Sequence, residues 1–283
     1  MGSPTLRLAR LALYFAWTVV LMPLQMLGLA LRCRWTNALP VFYHSWCSRI
    51  LGFRIRVVGT PTGRRPVLFA SNHISYSDIT ILGSIIAASF IAKAEVADWP
   101  FFGRLARLQR SVFVDRRRRT TASQRDAISD RLAGGDALIL FPEGTSGDGN
   151  RVLPFKTALF GAAEQAKGLP PVIVQPISIA YTRLDGIPIG RFYRPLFAWY
   201  GAVNLAPHIW SMVGLGTVEV VVEFHPPTFL SDCGTRKALA RYCYARIAGG
   251  LTGALFGRPQ PMPEPPARVA PSPHPAVARS MAG

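Results

Sequence analysis

Acidic residues are scarce in this 283-residue chain. Only 15 aspartates and glutamates stand against 32 lysines and arginines, for a formal net charge of +17. The first acid is Asp78, and nine arginines precede it, from Arg7 to Arg65. Charge of either sign is thin at 17% of residues, while apolar residues make up 49% and the mean hydropathy is +0.23. That composition excludes a chain disordered throughout, because it carries enough apolar surface for a core. It disfavours a highly soluble cytosolic enzyme and points to an anionic partner. Nucleic acid and membrane lipid both qualify. The early arginines sit inside apolar runs, and the aromatic residues do not interleave with basic ones. Both facts favour lipid over nucleic acid.

Cysteine is equally sparse. Cys33, Cys47, Cys233 and Cys243 form no C-x-x-C pair, which excludes zinc ribbons and thioredoxin-like motifs. Four scattered cysteines make no disulfide framework, so free thiols in a reducing compartment are expected. The chain also lacks G-x-S-x-G, H-E-x-x-H and G-x-x-x-x-G-K-[ST]. Serine hydrolase, zincin and P-loop readings therefore have no support.

What the chain does have begins at its N-terminus. Residues 11–31 carry no charge and are long enough for a helix of about 31 Å. Arg7 and Arg10 flank this run on one side, and Arg32 and Arg34 on the other, so loop charge gives no orientation. Residues 35–51 are again aromatic, basic and free of acid. A spanning helix and a helix lying in the interface, with arginines snorkelling at its ends, both fit. A cleaved signal peptide fits less well, because no A-x-A site follows. Residues 1–50 are accordingly read as a helical membrane anchor.

From residue 52 the pattern changes. Strands are expected near 53–57, 66–70, 89–93, 111–115, 136–141, 171–180 and 217–224. Helices are expected near 79–88, 120–135, 157–168 and 235–250, with a short one opened by Pro100. Strands alternating with helices argue an α/β domain over residues 51–257, with a mostly parallel central sheet and flanking helices. Residues 258–283 hold 8 of the 24 prolines without apolar periodicity and read as a disordered tail.

The most informative pair is His73 and Asp78. His73 comes directly after the strand at 66–70, where sites in α/β domains are usually built. Asp78 follows five residues later, where the next helix should begin. From there it can accept a hydrogen bond from one imidazole nitrogen and leave the other as a general base. No serine or cysteine is paired with the histidine, so the base should act on a substrate hydroxyl. The second segment is Phe141-Pro142-Glu143-Gly144-Thr145, after the strand at 136–141.

Together these residues resemble the glycerolipid acyltransferases, whose signature is N-H-x-x-x-x-D followed by F-P-E-G-T. Here the two motifs start at Asn72 and Phe141. Pro100-Phe101-Phe102-Gly103 with Val112–Arg116, and Val174-Gln175-Pro176-Ile177, are similar to the family's weaker blocks. The resemblance covers roughly residues 50–230. It implies that His73 deprotonates an acceptor hydroxyl, which attacks an acyl thioester on acyl carrier protein (acyl-ACP) or coenzyme A (acyl-CoA). It implies that Asp78 orients His73, that Arg116 binds an acceptor phosphate, and that Glu143, Gly144 and Thr145 form the acceptor-binding turn. It implies membrane lipid as partner, no metal, no bound cofactor, and the cytoplasmic face of a bacterial inner membrane.

One departure stands out. The family usually has an arginine directly after F-P-E-G-T, and here that position is Ser146, followed by Gly147-Asp148-Gly149-Asn150. Arg151 or Lys156 can substitute, or the acceptor carries another head group. The expected activity is O-acylation of a lysolipid, with lysophosphatidate as the first acceptor and lyso-ornithine lipid as the alternative. A basic membrane-surface binding protein without turnover is the alternative of another class. Intact His73, Asp78 and Glu143 argue against it.

Overall fold

The computed structural model describes residues 2–114, 121–164 and 170–257, and the backbone alone for 121–126. In chain order it comprises α1 (Pro4–Ala30), α2 (Leu39–Ile50), β1 (Phe53–Val58), β2 (Val67–Ser71), α3 (Ser77–Gly83), β3 (Ser89–Lys93), α4 (Phe102–Leu108), β4 (Val112–Val114), α5 (Thr121–Ala133) and β5 (Ala137–Leu140). These are followed by β6 (Ile173–Leu184), β7 (Ile187–Pro188), α6 (Leu205–Met212), β8 (Val218–Phe224), β9 (Thr228–Phe229), α7 (Leu230–Cys233) and α8 (Arg236–Phe256).

The sheet runs β1-β8-β6-β2-β5-β3-β4, with the short β7 and β9 paired to β6. Every neighbouring pair on that path is parallel except β6 with β8. The expected mostly parallel α/β sheet is therefore present. Successive residues of β2 feed different layers, as the period of two requires. Val67 and Phe69 join a core with Ile81, Leu82, Ile139 and Val222. Leu68 and Ala70 join another with Leu138, Leu140, Leu239 and Ile247.

Four expected elements differ in extent, the last of them the helix expected at 235–250, which runs on to Phe256. The helix expected at 79–88 ends at Gly83, where the chain turns before β3. The helix expected at 157–168 is a 3₁₀ segment over Thr157–Ala163 among the described residues. Its four buried residues, Phe160 to Ala163, follow one another in sequence, so no single helical stripe faces the core. The strand expected to stop at Ala180 continues to Leu184, because β8 pairs with it as far as Val218.

The helix α1 is built inside out for a water-soluble protein. Leu13, Val19, Val20, Met26 and Leu27 are exposed, while Arg10, Thr18 and Gln25 are buried. By length and composition it can cross a membrane. Its inward polar groups are bonded to the rest of the chain. The Gln25 amide donates to the carbonyls of Thr36 and Leu108 at 3.1 and 3.0 Å. The Thr18 hydroxyl is 2.9 Å from that of Tyr43 on α2. The Arg10 guanidinium donates to the carbonyls of Val213, Leu215 and Gly216 at 3.1, 2.5 and 3.1 Å. Helices α1 and α2 lie outside the sheet and are fastened to the domain by polar contacts.

Arg10→Ala should cost about 2 kcal/mol, since hydrogen bonds to a charged group contribute roughly 1.5–3 kcal/mol and three carbonyls lose their donor. For a domain of this size that is a fall in Tm of roughly 4–8 °C. A melting curve of full-length protein in detergent checks this, and an unchanged Tm would mean the clamp contributes nothing.

Candidate active site

Both signature segments leave the sheet at one edge. β2 and β5 are parallel neighbours with Ala70 opposite Leu140, so residues 72–78 and 141–150 emerge side by side. This is the carboxyl edge of the strands, where parallel sheets hold their sites. Asn72 extends the β2 pairing with its side chain. Its amide nitrogen donates to the Ile179 carbonyl at 3.0 Å, and its amide oxygen accepts from the Ile179 N–H at 2.9 Å. The loop after it is thereby tied to β6.

Asp78 organises that loop. It stands in the first turn of α3 and is fully buried. One carboxylate oxygen accepts from His73 Nδ1 at 2.8 Å and from the Ile74 and Ser75 N–H groups at 2.6 and 2.9 Å. The other accepts from the Tyr181 hydroxyl at 2.8 Å. Burial and the adjacent Asp78 push the Tyr181 hydroxyl well above its ordinary value, so it stays a donor. His73 Nδ1 carries the proton towards Asp78, which leaves Nε2 with a free lone pair. The imidazole is 19% exposed and stacks on Phe141 with centroids 4.0 Å apart, so the ring is fixed yet reachable.

Glu143 braces the same histidine from its backbone. Its carboxyl oxygens accept from the N–H groups of His73 and Leu153, both at 2.9 Å. Burial pushes the Glu143 carboxyl up to about 8. Gly144 turns the chain with φ +74°, a conformation that favours glycine, and its N–H donates to the Phe141 carbonyl at 3.1 Å. Thr145 is exposed at the loop. The Gly147 N–H then donates to the His73 carbonyl at 2.9 Å. His73, Asp78, Glu143 and Gly144 thus form one hydrogen-bonded unit, with Thr145 at its rim. Arg116 lies outside the described residues.

Where the family's arginine would stand, the Ser146 hydroxyl donates to the Trp199 carbonyl. The Trp199 N–H in turn donates to the Ile74 carbonyl at 3.0 Å. Asn150 accepts at 2.9 Å from the guanidinium of Arg194, a buried residue whose Nε has no hydrogen-bond partner among the described residues. Asp148 holds Asn150 from the same loop, and both the bonds from Asn150 and the nearby Arg151 lower its carboxyl against the opposing effect of burial. Gly149 packs between Ile74 and Arg194. Arg151 is exposed. Sequence reasoning missed Tyr181, Phe141 as a stacking partner, and Arg194. Only the register of β6 against β2 brings Tyr181 to Asp78, and no local spacing marks it.

Among the described residues, a cavity of about 480 Å³ lies between α1, α2, α3, α4 and α6. Its lining includes Tyr14, Met22, Phe90 and Trp210, and also Tyr76 and Ser77 of the His73–Asp78 loop.

The Glu143 carboxyl makes a testable pH dependence. Its folded value of about 8 lies above that of an unfolded glutamate, so the folded chain holds a proton that the unfolded chain releases. Its stabilisation is complete below the unfolded value and is lost as pH rises through about 8. Glu143→Gln cannot ionise and loses one acceptor, so it should be less stable than wild type at about pH 5. The Tm gap between wild type and variant should narrow between about pH 5 and about pH 8.5. A gap that widens would refute the raised value.

Residues 54–180 match the sequence profile of the family described as Acyltransferase. The chain is 49% identical over 250 residues to a lyso-ornithine lipid O-acyltransferase of Brucella abortus, covering 87% of this chain and 94% of that one. It is 44% identical to the enzyme of the same name from Rhizobium meliloti, covering 85% and 84%. Identity to a 1-acyl-sn-glycerol-3-phosphate acyltransferase of Neisseria gonorrhoeae is 32%, covering 59% and 63%. The crystal structure of the 1-acyl-sn-glycerophosphate acyltransferase of Thermotoga maritima has the same fold, with a TM-score of 0.59 at 21% identity, covering 85% and 92%. With half its aligned positions shared along nearly the whole of a relative, and the two signature segments meeting at one strand edge, the chain belongs to the acyltransferase family that includes these lysolipid-acylating enzymes.

Proposed function

We propose that this enzyme transfers a fatty acyl chain from acyl-ACP or acyl-CoA to the free hydroxyl of lyso-ornithine lipid, at the cytoplasmic face of a bacterial inner membrane. The observation that carries the chemistry is the 2.8 Å contact of His73 Nδ1 with buried Asp78, which leaves Nε2 free. The acceptor hydroxyl gives its proton to Nε2 as its oxygen bonds to the thioester carbonyl carbon. Collapse of that adduct breaks the carbon–sulfur bond, and the proton passes from Nε2 to the departing thiolate. Asp78 holds the tautomer and stabilises the imidazolium. Neither metal nor bound cofactor enters these steps.

The acceptor assignment rests on two supports. The Brucella abortus and Rhizobium meliloti relatives, at 49% and 44% identity, carry the lyso-ornithine name. The loop that lacks the family's arginine instead sets Asp148 and Asn150 against buried Arg194, a pairing of opposite charges suited to a head group bearing ammonium and carboxylate. Lysophosphatidate is the competing acceptor, and Arg116 is the proposed contact to whichever anionic group arrives. The cavity beside Tyr76 and Ser77 is an apolar seat for an acyl chain.

His73→Ala should lower kcat by about 10²–10⁴ in a thiol-release assay, and Asp78→Asn should fall in the same range. Tyr181→Phe removes one donor to Asp78 and should cost only about threefold to tenfold in kcat with KM unchanged. Near-normal turnover in His73→Ala would sink the mechanism. Turnover on lysophosphatidate but not on lyso-ornithine lipid would sink the acceptor assignment alone.

A further inference from the structure

We infer that the excursion between β6 and β8, residues 186–216, is a second membrane-contacting surface, which seats the catalytic edge on an anionic lipid bilayer independently of the N-terminal helices. Its position follows from topology. β6 is parallel to β2, so its carboxyl end lies at the edge that carries His73. β8 returns antiparallel, so the excursion leaves and rejoins the sheet at that same edge. Asp185 closes its neck. Its N–H donates to the Thr217 carbonyl at 2.8 Å, and its carboxylate accepts from the Thr217 N–H at 2.7 Å.

The excursion has two faces. Ile189, Phe197, Ala198, Met212 and Val213 are buried and hold it to the domain. Its outer side presents Phe192 at 92% exposure and Ile187 at 70%, with Tyr193, Leu196, Tyr200 and Trp210 also exposed. Side chains of that size left in water while their neighbours are packed mark an interaction surface. Tyrosine and tryptophan favour the junction of hydrocarbon and water, where one end of the ring is apolar and the other wet.

Charge selects the partner. No acid occurs between Asp185 and Glu219, and Arg191 is exposed beside Phe192. Such a patch is attracted to an anionic lipid surface. It is also continuous with α1. The Arg7 guanidinium lies 5.5 Å from the Trp210 ring centroid, and the Ser3 N–H donates to the Gly214 carbonyl at 3.1 Å. The excursion touches the catalytic loop as well, through the bonds of Trp199 to Ile74 and Ser146. A lysolipid in the bilayer would then reach His73 without its chain crossing water.

The test uses full-length protein with a fluorophore at Phe192→Cys, in a background of Cys33→Ser and Cys233→Ser. It is bound to phosphatidylcholine vesicles containing phosphatidylglycerol. Brominated lipids should quench the fluorophore, while aqueous iodide should quench it less than in detergent-free buffer without lipid. In parallel, Ile187→Ser/Phe192→Ser should raise KM for vesicle-borne acceptor by at least about tenfold, since losing even one large apolar contact costs about 1.5 kcal/mol. Turnover on acceptor in detergent micelles should stay the same, and Phe192→Leu should restore most of the vesicle effect. A fluorophore insensitive to brominated lipid overturns the proposal, as does an unchanged vesicle KM. Protection from iodide accompanied by dimerisation in ultracentrifugation overturns it too, by assigning the face to a second copy of the chain. Loss of turnover in micelles by His73→Ala bears on the catalytic reading and leaves this one untouched.

Discussion

The catalytic edge depends on how one buried carboxylate is compensated. Asp78 is fully buried, and among the described residues no arginine or lysine is hydrogen-bonded to it. An ionised carboxylate in that position is tolerable only if its oxygens are saturated with donors. The donors come from His73, from the Ile74 and Ser75 amides, and from Tyr181 on β6. Three are within five residues of Asp78, so the loop is folded back onto that carboxylate. The fourth ties that loop to a neighbouring strand. The conformation of residues 72–78 and the direction of the imidazole are therefore consequences of one solvation problem.

Glu143 solves a different problem with the same chemistry. It takes two backbone N–H groups, and burial holds its carboxyl up at about 8. Asp78 contributes to that rise, because two nearby carboxylates resist ionising together. The pair therefore divides its work. Asp78 fixes the ring through Nδ1, and Glu143 fixes the backbone on which the ring is mounted. Phe141 closes the remaining freedom by stacking on the imidazole. What the arrangement leaves unengaged among the described residues is Nε2, the atom to which a hydroxyl proton can pass.

Much of this was legible in the sequence because it is local. His73 and Asp78 are five residues apart, and the loop between them is set by short-range hydrogen bonds. The F-P-E-G-T segment is legible through its resemblance to the glycerolipid acyltransferase signature, and the apolar strands through their runs. Tyr181 was not legible, since its role exists only once β6 pairs with β2. The same holds for Arg194, which reaches Asn150 across 44 residues of chain. The antiparallel return of β8 is another non-local fact, as strand periodicity is the same in both directions. The helix expected at 157–168 failed for a more local reason. Its apolar residues are consecutive, and the core takes them as a tight 3₁₀ turn. Glu143 was read as part of an acceptor-binding turn, and its two backbone partners give it a bracing duty that no spacing encodes.

The antiparallel pairing of β8 with β6 links architecture to access. A parallel β8 would have required a crossover back to the far edge of the sheet, as each of the other parallel connections does. The antiparallel return instead keeps both ends of the 186–216 excursion at the carboxyl edge. The excursion can therefore be long and apolar on its outer side without disturbing the core, since it joins the sheet only through the short β7 and is closed at its neck by Asp185 and Thr217. The N-terminal helix reaches the same end of the molecule, where Arg10 grips the carbonyls of Val213, Leu215 and Gly216. Polar contacts suit this junction. Apolar residues turned inward would leave Arg10 and Gln25 facing outward, and the outer surface of α1 would lose the apolar character a bilayer requires. Placing the polar residues inward leaves the outer surface of α1 apolar while its inner side is hydrogen-bonded to the rest of the chain, at the same end of the molecule as the excursion.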